Sequence, residues 1–199
     1  MSISAADVKA LREKTGVGMM DCKVALEECS GDFEKATELL RKKGIAVAKK
    51  RAEKTASQGI VGSYIHMHGK IGVLVEVNCE TDFVAKSDNF KEFVKDIAMH
   101  IAASNPSWLT KAEVPSAALE KEKEILKEQT LTEGKPEKVA EKIVEGRLKK
   151  FYSENCLLEQ PFVKNTDITI EHYLNELIGK TGEKCEIRRF ARYQLGEKV

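Results

Sequence analysis

Apolar side chains recur every second residue over Ile71–Cys79, at Ile71, Val73, Val75, Val77 and Cys79. That period of 2 predicts a half-buried strand. Gly59 to His66 reads as a second strand, and Met67-His68-Gly69-Lys70 turns the chain between the two, giving a hairpin. Downstream the period changes. Phe90, Phe93, Val94, Ile97 and Ile101 follow the spacing of an amphipathic helix, predicted over 88–104 and ending before Asn105-Pro106. Upstream, three short stripes precede the hairpin. Val8 and Leu11 form the first, in a helix that Ser4 and Asp7 start as a capping-box variant. Gly16-Val17-Gly18 breaks it. Cys22, Ala25, Leu26 and Cys29 form the second, up to Ser30-Gly31-Asp32; Phe33, Ala36, Leu39 and Leu40 form the third. Each helix alone is marginal, so the three are expected to bury these faces mutually. Lys42 to Lys54 reads as a charged helical linker whose basic run lies on a solvated face.

Residues 115–130 and 136–154 read as two charged helices separated by Gly134-Lys135-Pro136, with Pro136 at a helix start. Glu171 to Ile178 reads as a further short helix. Cys185 to Leu195 is strand-like, but Arg189 and Phe190 both fall on the wrong face for simple alternation, which a bulge or a subunit contact would explain. The expected architecture is therefore α+β: a helical bundle over residues 1–54, then a core over residues 55–199 with an antiparallel sheet packed with helices.

Phe83 belongs to neither core period. It lies in the strand-to-helix connection, beside Asp82 and close to Lys86. Such an aromatic either seats in a partner's pocket or caps the edge of its own core.

The chain has 199 residues, 42% of them hydrophobic, enough to build a core. Its 33 Lys plus Arg nearly balance 32 Asp plus Glu, which disfavours a general nucleic-acid role. No run approaches the roughly 18 apolar residues of a membrane span, and Met1 to Asp7 lacks the features of a signal peptide. A cytoplasmic protein is expected. Cys22, Cys29, Cys79, Cys156 and Cys185 are widely spaced and form no CxxC pair, against a zinc site or a secreted disulfide framework. Cys22 and Cys29 read as small core residues; Cys185 would approach a symmetry mate if the chain dimerises. His66 and His68 alternate onto one side of a strand, but two histidines without a third ligand make a weak metal site, and no metal or cofactor is expected. Gly179-Lys180-Thr181 lacks the earlier glycine of a phosphate loop, since position 174 is Leu. No triad-like order or carboxylate pair points to catalysis, so the chain is not expected to be an enzyme.

Asn78-Cys79-Glu80-Thr81-Asp82-Phe83-Val84-Ala85-Lys86 resembles the signature of the elongation factor Ts family. Leu11-Arg12-Glu13-Lys14-Thr15-Gly16-Val17-Gly18-Met19-Met20-Asp21-Cys22-Lys23 resembles its N-terminal motif. Glu145-Gly146-Arg147-Leu148-Lys149-Lys150-Phe151 and Gln160-Pro161-Phe162-Val163 resemble its C-terminal motifs, all in family order.

The resemblance implies a guanine-nucleotide exchange factor for elongation factor Tu, binding Tu in its GDP-bound and nucleotide-free states. It implies a ubiquitin-associated-like N-terminal bundle that docks on Tu through Arg12, Met19 and Met20. It also implies that Phe83 wedges into Tu's nucleotide-binding domain, that Asp82 and Phe83 displace the segment supporting magnesium, and that Thr81 and Val84 hold the wedge. His66 matches the family's second contact when aligned on Gly62-Ser63-Tyr64; alignment on Gly69 gives His68 instead. Longer members carry two related core halves. Here Asp82-Phe83, a first-half mark, precedes Ile97 to Pro106, which resembles a second-half mark, so one fused copy is expected. Short members pair two subunits, which implies a homodimer. A ubiquitin-like binding module or an RNA-binding adaptor using Lys49-Lys50-Arg51 is the alternative; the first leaves the Phe83 segment unexplained, and the charge balance weighs against the second.

Overall fold

A computed structural model of the chain describes residues 3–133 and 137–197. The Gly134-Lys135-Pro136 break, with Pro136 expected at a helix start, lies outside them. The elements run α1 (Ala5–Thr15), α2 (Met19–Glu28), α3 (Phe33–Arg51), β1 (Gln58–His66), β2 (Ile71–Cys79), α4 (Asp82–Lys86), α5 (Asp88–Ser104), α6 (Ser116–Thr132), α7 (Glu137–Asn155), β3 (Pro161–Phe162), β4 (Asn165–Thr169), α8 (Ile170–Thr181) and β5 (Cys185–Gln194). This is the expected α+β class. One sheet has the order β1-β2-β5 and a second pairs β3 with β4. Four residues join β1 to β2, which only an antiparallel hairpin allows. On β5, Arg189 reaches Glu76 and the N–H of Leu195, just past the strand, donates to the carbonyl of Lys70. Numbers rise on β5 as they fall on β2, so that pair is antiparallel too.

The chain packs as two compact units, one comprising Met1–Ser63, Leu74–Ala98 and His172–Arg189, the other Tyr64–Val73, Met99–Glu171 and Phe190–Val199. In the first, α1, α2 and α3 bury the predicted stripes: Val8, Leu11, Cys22, Ala25, Leu26, Ala36 and Leu40 form one core, with Cys29, Phe33 and Leu39 packed on it. Ser4 and Asp7 make the reciprocal capping box, and Gly16 ends α1 in the left-handed region at φ 69°.

α3 is one helix of 19 residues, not a stripe followed by a linker. Its only breaker is Gly44, which costs about 1 kcal/mol relative to Ala in a helix interior. That cost is offset by close approach: a Cβ at Gly44 would stand 3.0 Å from the carbonyl oxygen of Asn175 and 3.5 Å from the Cα of Gly179, both on α8. Glycine lets α3 and α8 touch backbone to backbone. Likewise, a Cβ at Gly62 on β1 would collide with Cγ1 of Val94 on α5. Beneath α5 the inner face of β2 is buried at Val75, Val77 and Cys79, each worth roughly 1–3 kcal/mol of burial.

In the second unit His100 is wholly buried. Its Nε2 pairs with Gln160 Oε1 at 2.9 Å and its Nδ1 accepts from the N–H of Val163 at 3.3 Å. One ring nitrogen accepts, so the ring is neutral and Nε2 carries the hydrogen. Burial holds its pKa below the ordinary value. The pair ties the end of α5 to the β3–β4 hairpin, which sequence patterning missed. α6 packs along α7.

On β5, Arg188 and Arg189 are both exposed between buried Ile187 and half-buried Phe190. Because Arg189 bonds to Glu76, beyond the buried face of β2, alternation slips by one residue there. The irregularity expected on sequence is thus a local phase shift.

Candidate functional site

Phe83 is held in a helix rather than a loop. It is the second residue of α4, a five-residue helix capped by Thr81, and it is 84% exposed. The ring does not cap its own core. Below it, Val84 is half-buried and Ala85 is buried, so the backbone is anchored while the ring projects to solvent. Lys86 Nζ bonds Asp82 Oδ2 at 2.6 Å along one helical turn and holds the Asp82 carboxyl below its usual range.

The anchor is polar as well as apolar. The N–H of Thr81 donates to Glu183 Oε2 at 3.0 Å and its hydroxyl donates to Glu183 Oε1 at 2.8 Å. The same hydroxyl accepts from the N–H of Val84 at 3.4 Å. The thiol of Cys79 donates to the carbonyl of Thr81 at 3.1 Å. One residue earlier, Glu80 accepts from the N–H of Lys184 at 2.6 Å and pairs with Arg51 Nη1 at 2.8 Å. The Lys184 N–H first, and then Arg51, hold its carboxyl below the usual range. Arg51 closes α3, so the end of the bundle's last helix is bonded next to the Phe83 segment. Sequence reasoning singled out Thr81 but missed Glu183, Glu80 and the pairing of Arg51.

Thr81, Asp82, Phe83 and Val84 therefore form one continuous feature. Arg12, Met19 and Met20 are exposed on either side of the Gly16–Gly18 turn, Met20 by 70%. Neither methionine is core. His66 is exposed in the second unit, its Nδ1 3.1 Å from the hydroxyl of Tyr64. His68 does not share a strand face with it: it sits in the turn at φ 55°. No group of three or more metal-ligating side chains is present among the described residues. No helix among them is long and apolar enough to cross a membrane. Gly179 to Thr181 closes α8 rather than opening a helix after a strand. Cys185 is buried beside Thr181, its thiol pushed up to about 12 by burial.

The family model for "Elongation factor TS" matches residues 23–197. The chain is 62% identical over 197 residues to the elongation factor Ts of Moorella thermoacetica, covering 99% of this chain and 97% of that protein. It is 61% identical over 199 residues to the elongation factor Ts of Syntrophus aciditrophicus, covering 100% and 99%. The family model and these relatives place it among the elongation factors of protein synthesis. The chain belongs to the elongation factor Ts family.

Proposed function

We propose that this chain is the guanine-nucleotide exchange factor for elongation factor Tu, acting on Tu-GDP without making or breaking a covalent bond. Family membership supports the partner. The observation that carries the mechanism is an aromatic ring 84% exposed on a helix whose other side is buried. Phe83 enters Tu's nucleotide-binding domain as a wedge. Asp82 and Phe83 displace the segment that supports magnesium there, and the diphosphate, its charge then poorly compensated, leaves. Thr81 and Val84 hold the wedge. His66 makes a second contact. Residues 1–54 form a docking arm that meets Tu through Arg12, Met19 and Met20, and residues 55–199 form the core and dimerisation domain.

Exchange of this kind is a coupling of binding free energies. If the factor weakens GDP binding by some ratio, GDP weakens the factor's binding by the same ratio. A coupling of about 4 kcal/mol corresponds to roughly a thousandfold. Contacts that differ between the two states of Tu supply it.

Release of labelled GDP from Tu, with and without the chain, tests the proposal. Acceleration at substoichiometric chain is expected, and an unchanged rate would sink it. Deleting residues 1–54 is expected to weaken Tu binding; full affinity would reject the docking arm. The proposal includes a homodimer paired through β5 and its C-terminal end, where Tyr193 and Leu195 are 72% and 77% exposed. Its mass in solution is the test. It also places the chain in the cytoplasm, where Tu works, with no direct contact to nucleic acid; salt-dependent RNA binding would count against that.

A further inference from the structure

α1 begins with a self-contained cap. The N–H and hydroxyl of Ser4 both donate to the carboxylate of Asp7, at 3.2 and 2.6 Å, while the N–H of Asp7 donates back to the Ser4 hydroxyl at 3.1 Å. α4 begins with the same three bonds. The N–H and hydroxyl of Thr81 both donate to one carboxylate, and the N–H of Val84 donates back to the Thr81 hydroxyl. The third helical position, which supplies the carboxylate in a capping box, is Val84. Its half-buried side chain anchors the helix instead. The carboxylate comes from Glu183, 102 residues away in sequence.

We propose that Glu183 is the positioning residue of the Phe83 wedge, completing from the α8–β5 turn a cap that α4 cannot complete for itself. The inference rests on reading Phe83 as the wedge that acts on Tu. A five-residue helix has too few internal hydrogen bonds to hold its own direction. The ring at 84% exposure gains little from packing within this chain, so the backbone alone aims it. A hydroxyl has one hydrogen. Spending it on Glu183 leaves the lone pairs of Thr81 facing the N–H of Val84. Without Glu183 the hydroxyl is free to turn, and the part-buried N–H of Thr81 loses its acceptor.

The turn that carries Glu183 is itself fixed. Gly182 adopts φ 69° and its N–H donates to the carbonyl of Ile178 at 2.8 Å, closing α8. The N–H of Glu183 donates to the hydroxyl of Thr181 at 3.4 Å. Phe83 is thereby referenced to α8 as well as to β2.

Amide hydrogen exchange on the full chain without Tu tests the cap. Glu183→Ala is expected to speed exchange at Thr81, Val84 and Ala85 by about fivefold, the scale of losing one cap, with the β2 amides unchanged. Glu183→Gln keeps one acceptor, for the N–H of Thr81, and is expected to fall between; it replaces Glu183→Ala if that variant does not fold. Unchanged protection at Val84 and Ala85 overturns the inference. GDP release from Tu tests the positioning role by a double-mutant cycle. Glu183→Ala is expected to slow release about fivefold in the protein with Phe83 and to add nothing once Phe83 is Ala. Losses that multiply would mean general damage and overturn the role. Full release by Phe83→Ala alone would instead defeat the wedge reading, while the protection data still decide the cap.

Discussion

A single exposed phenylalanine is ordinary on a protein surface. Phe83 differs because Thr81, Val84, Ala85 and Glu183 all work to hold the turn that carries it. Phe83→Ala is therefore expected to keep its melting temperature, since exposed substitutions stay within about 0.5 kcal/mol. The same change is expected to cost GDP exchange about 2 kcal/mol or more, some thirtyfold. Calorimetry beside a release assay checks both; lost stability with retained exchange would reverse the assignment. His100 makes an opposite case, buried and silent in the sequence reading. Burial disfavours its charged form, so its folded pKa lies below the ordinary 6.5. The unfolded chain takes up the proton first. Stability is thus full above the ordinary value and falls as the pH drops from there through the folded pKa. Melting temperatures measured from about pH 7.5 to about pH 5.5 should fall, and His100→Gln should flatten that slope. An unchanged slope in the variant would remove His100 as its cause. What was legible at this scale was local: the Ser4–Asp7 box spans three residues, whereas Arg51–Glu80 spans 29 and Thr81–Glu183 spans 102. Only the fold brings the distant pairs together.

Elements with a long clean period were readable. β2 and α5 emerge with the predicted bounds, 71–79 and 88–104. The errors fall where period is short or competes with charge. α4 has five residues, too few to show a helical repeat, so Phe83 read as loop. β3 has two residues and shows no alternation. α3 runs on through the charged segment because packing against α8 at Gly44 outweighs a helix-breaking residue. Gly62 shows how tightly such elements seat. Gly62→Ala is expected to destabilise by about 1–3 kcal/mol, because Val94 must move within a packed layer. That corresponds to a drop of roughly 2–4 °C per kcal/mol for a chain of this size. A melting temperature equal to that of the parent would mean that α5 shifts freely on β1.

At the scale of the whole molecule each compact unit draws on three separate segments, so no composition shift along the chain marks the division. Assembly is the remaining question at that scale, and the thiols constrain how it is answered. Cys185 was the residue expected to approach a symmetry mate, yet it is buried, and burial pushes its thiol up to about 12, far from the thiolate that disulfide exchange requires. A pair joined through β5 must then be held by surface contact. Tyr193 and Leu195 are the exposed apolar residues there. Arg189 is already engaged with Glu76, and Arg192 donates to the carbonyl of Ala102 at 3.4 Å and to Gln194 at 2.8 Å. Arg189 and the Nη2 of Arg192 are thus engaged within the chain, and the exposed aromatic and aliphatic side chains are what a second copy would cover. Light scattering at micromolar concentration is expected to report about twice the 22.2 kDa chain mass, equally with and without reductant. Changing Tyr193→Ser and Leu195→Ser together should return the single-chain mass while GDP exchange by each chain weakens. A mass that halves on reduction would point to a covalent pair and to exposure of Cys185. A parent protein that is already a single chain at full exchange activity would reject pairing and leave one copy of the core to act on Tu alone.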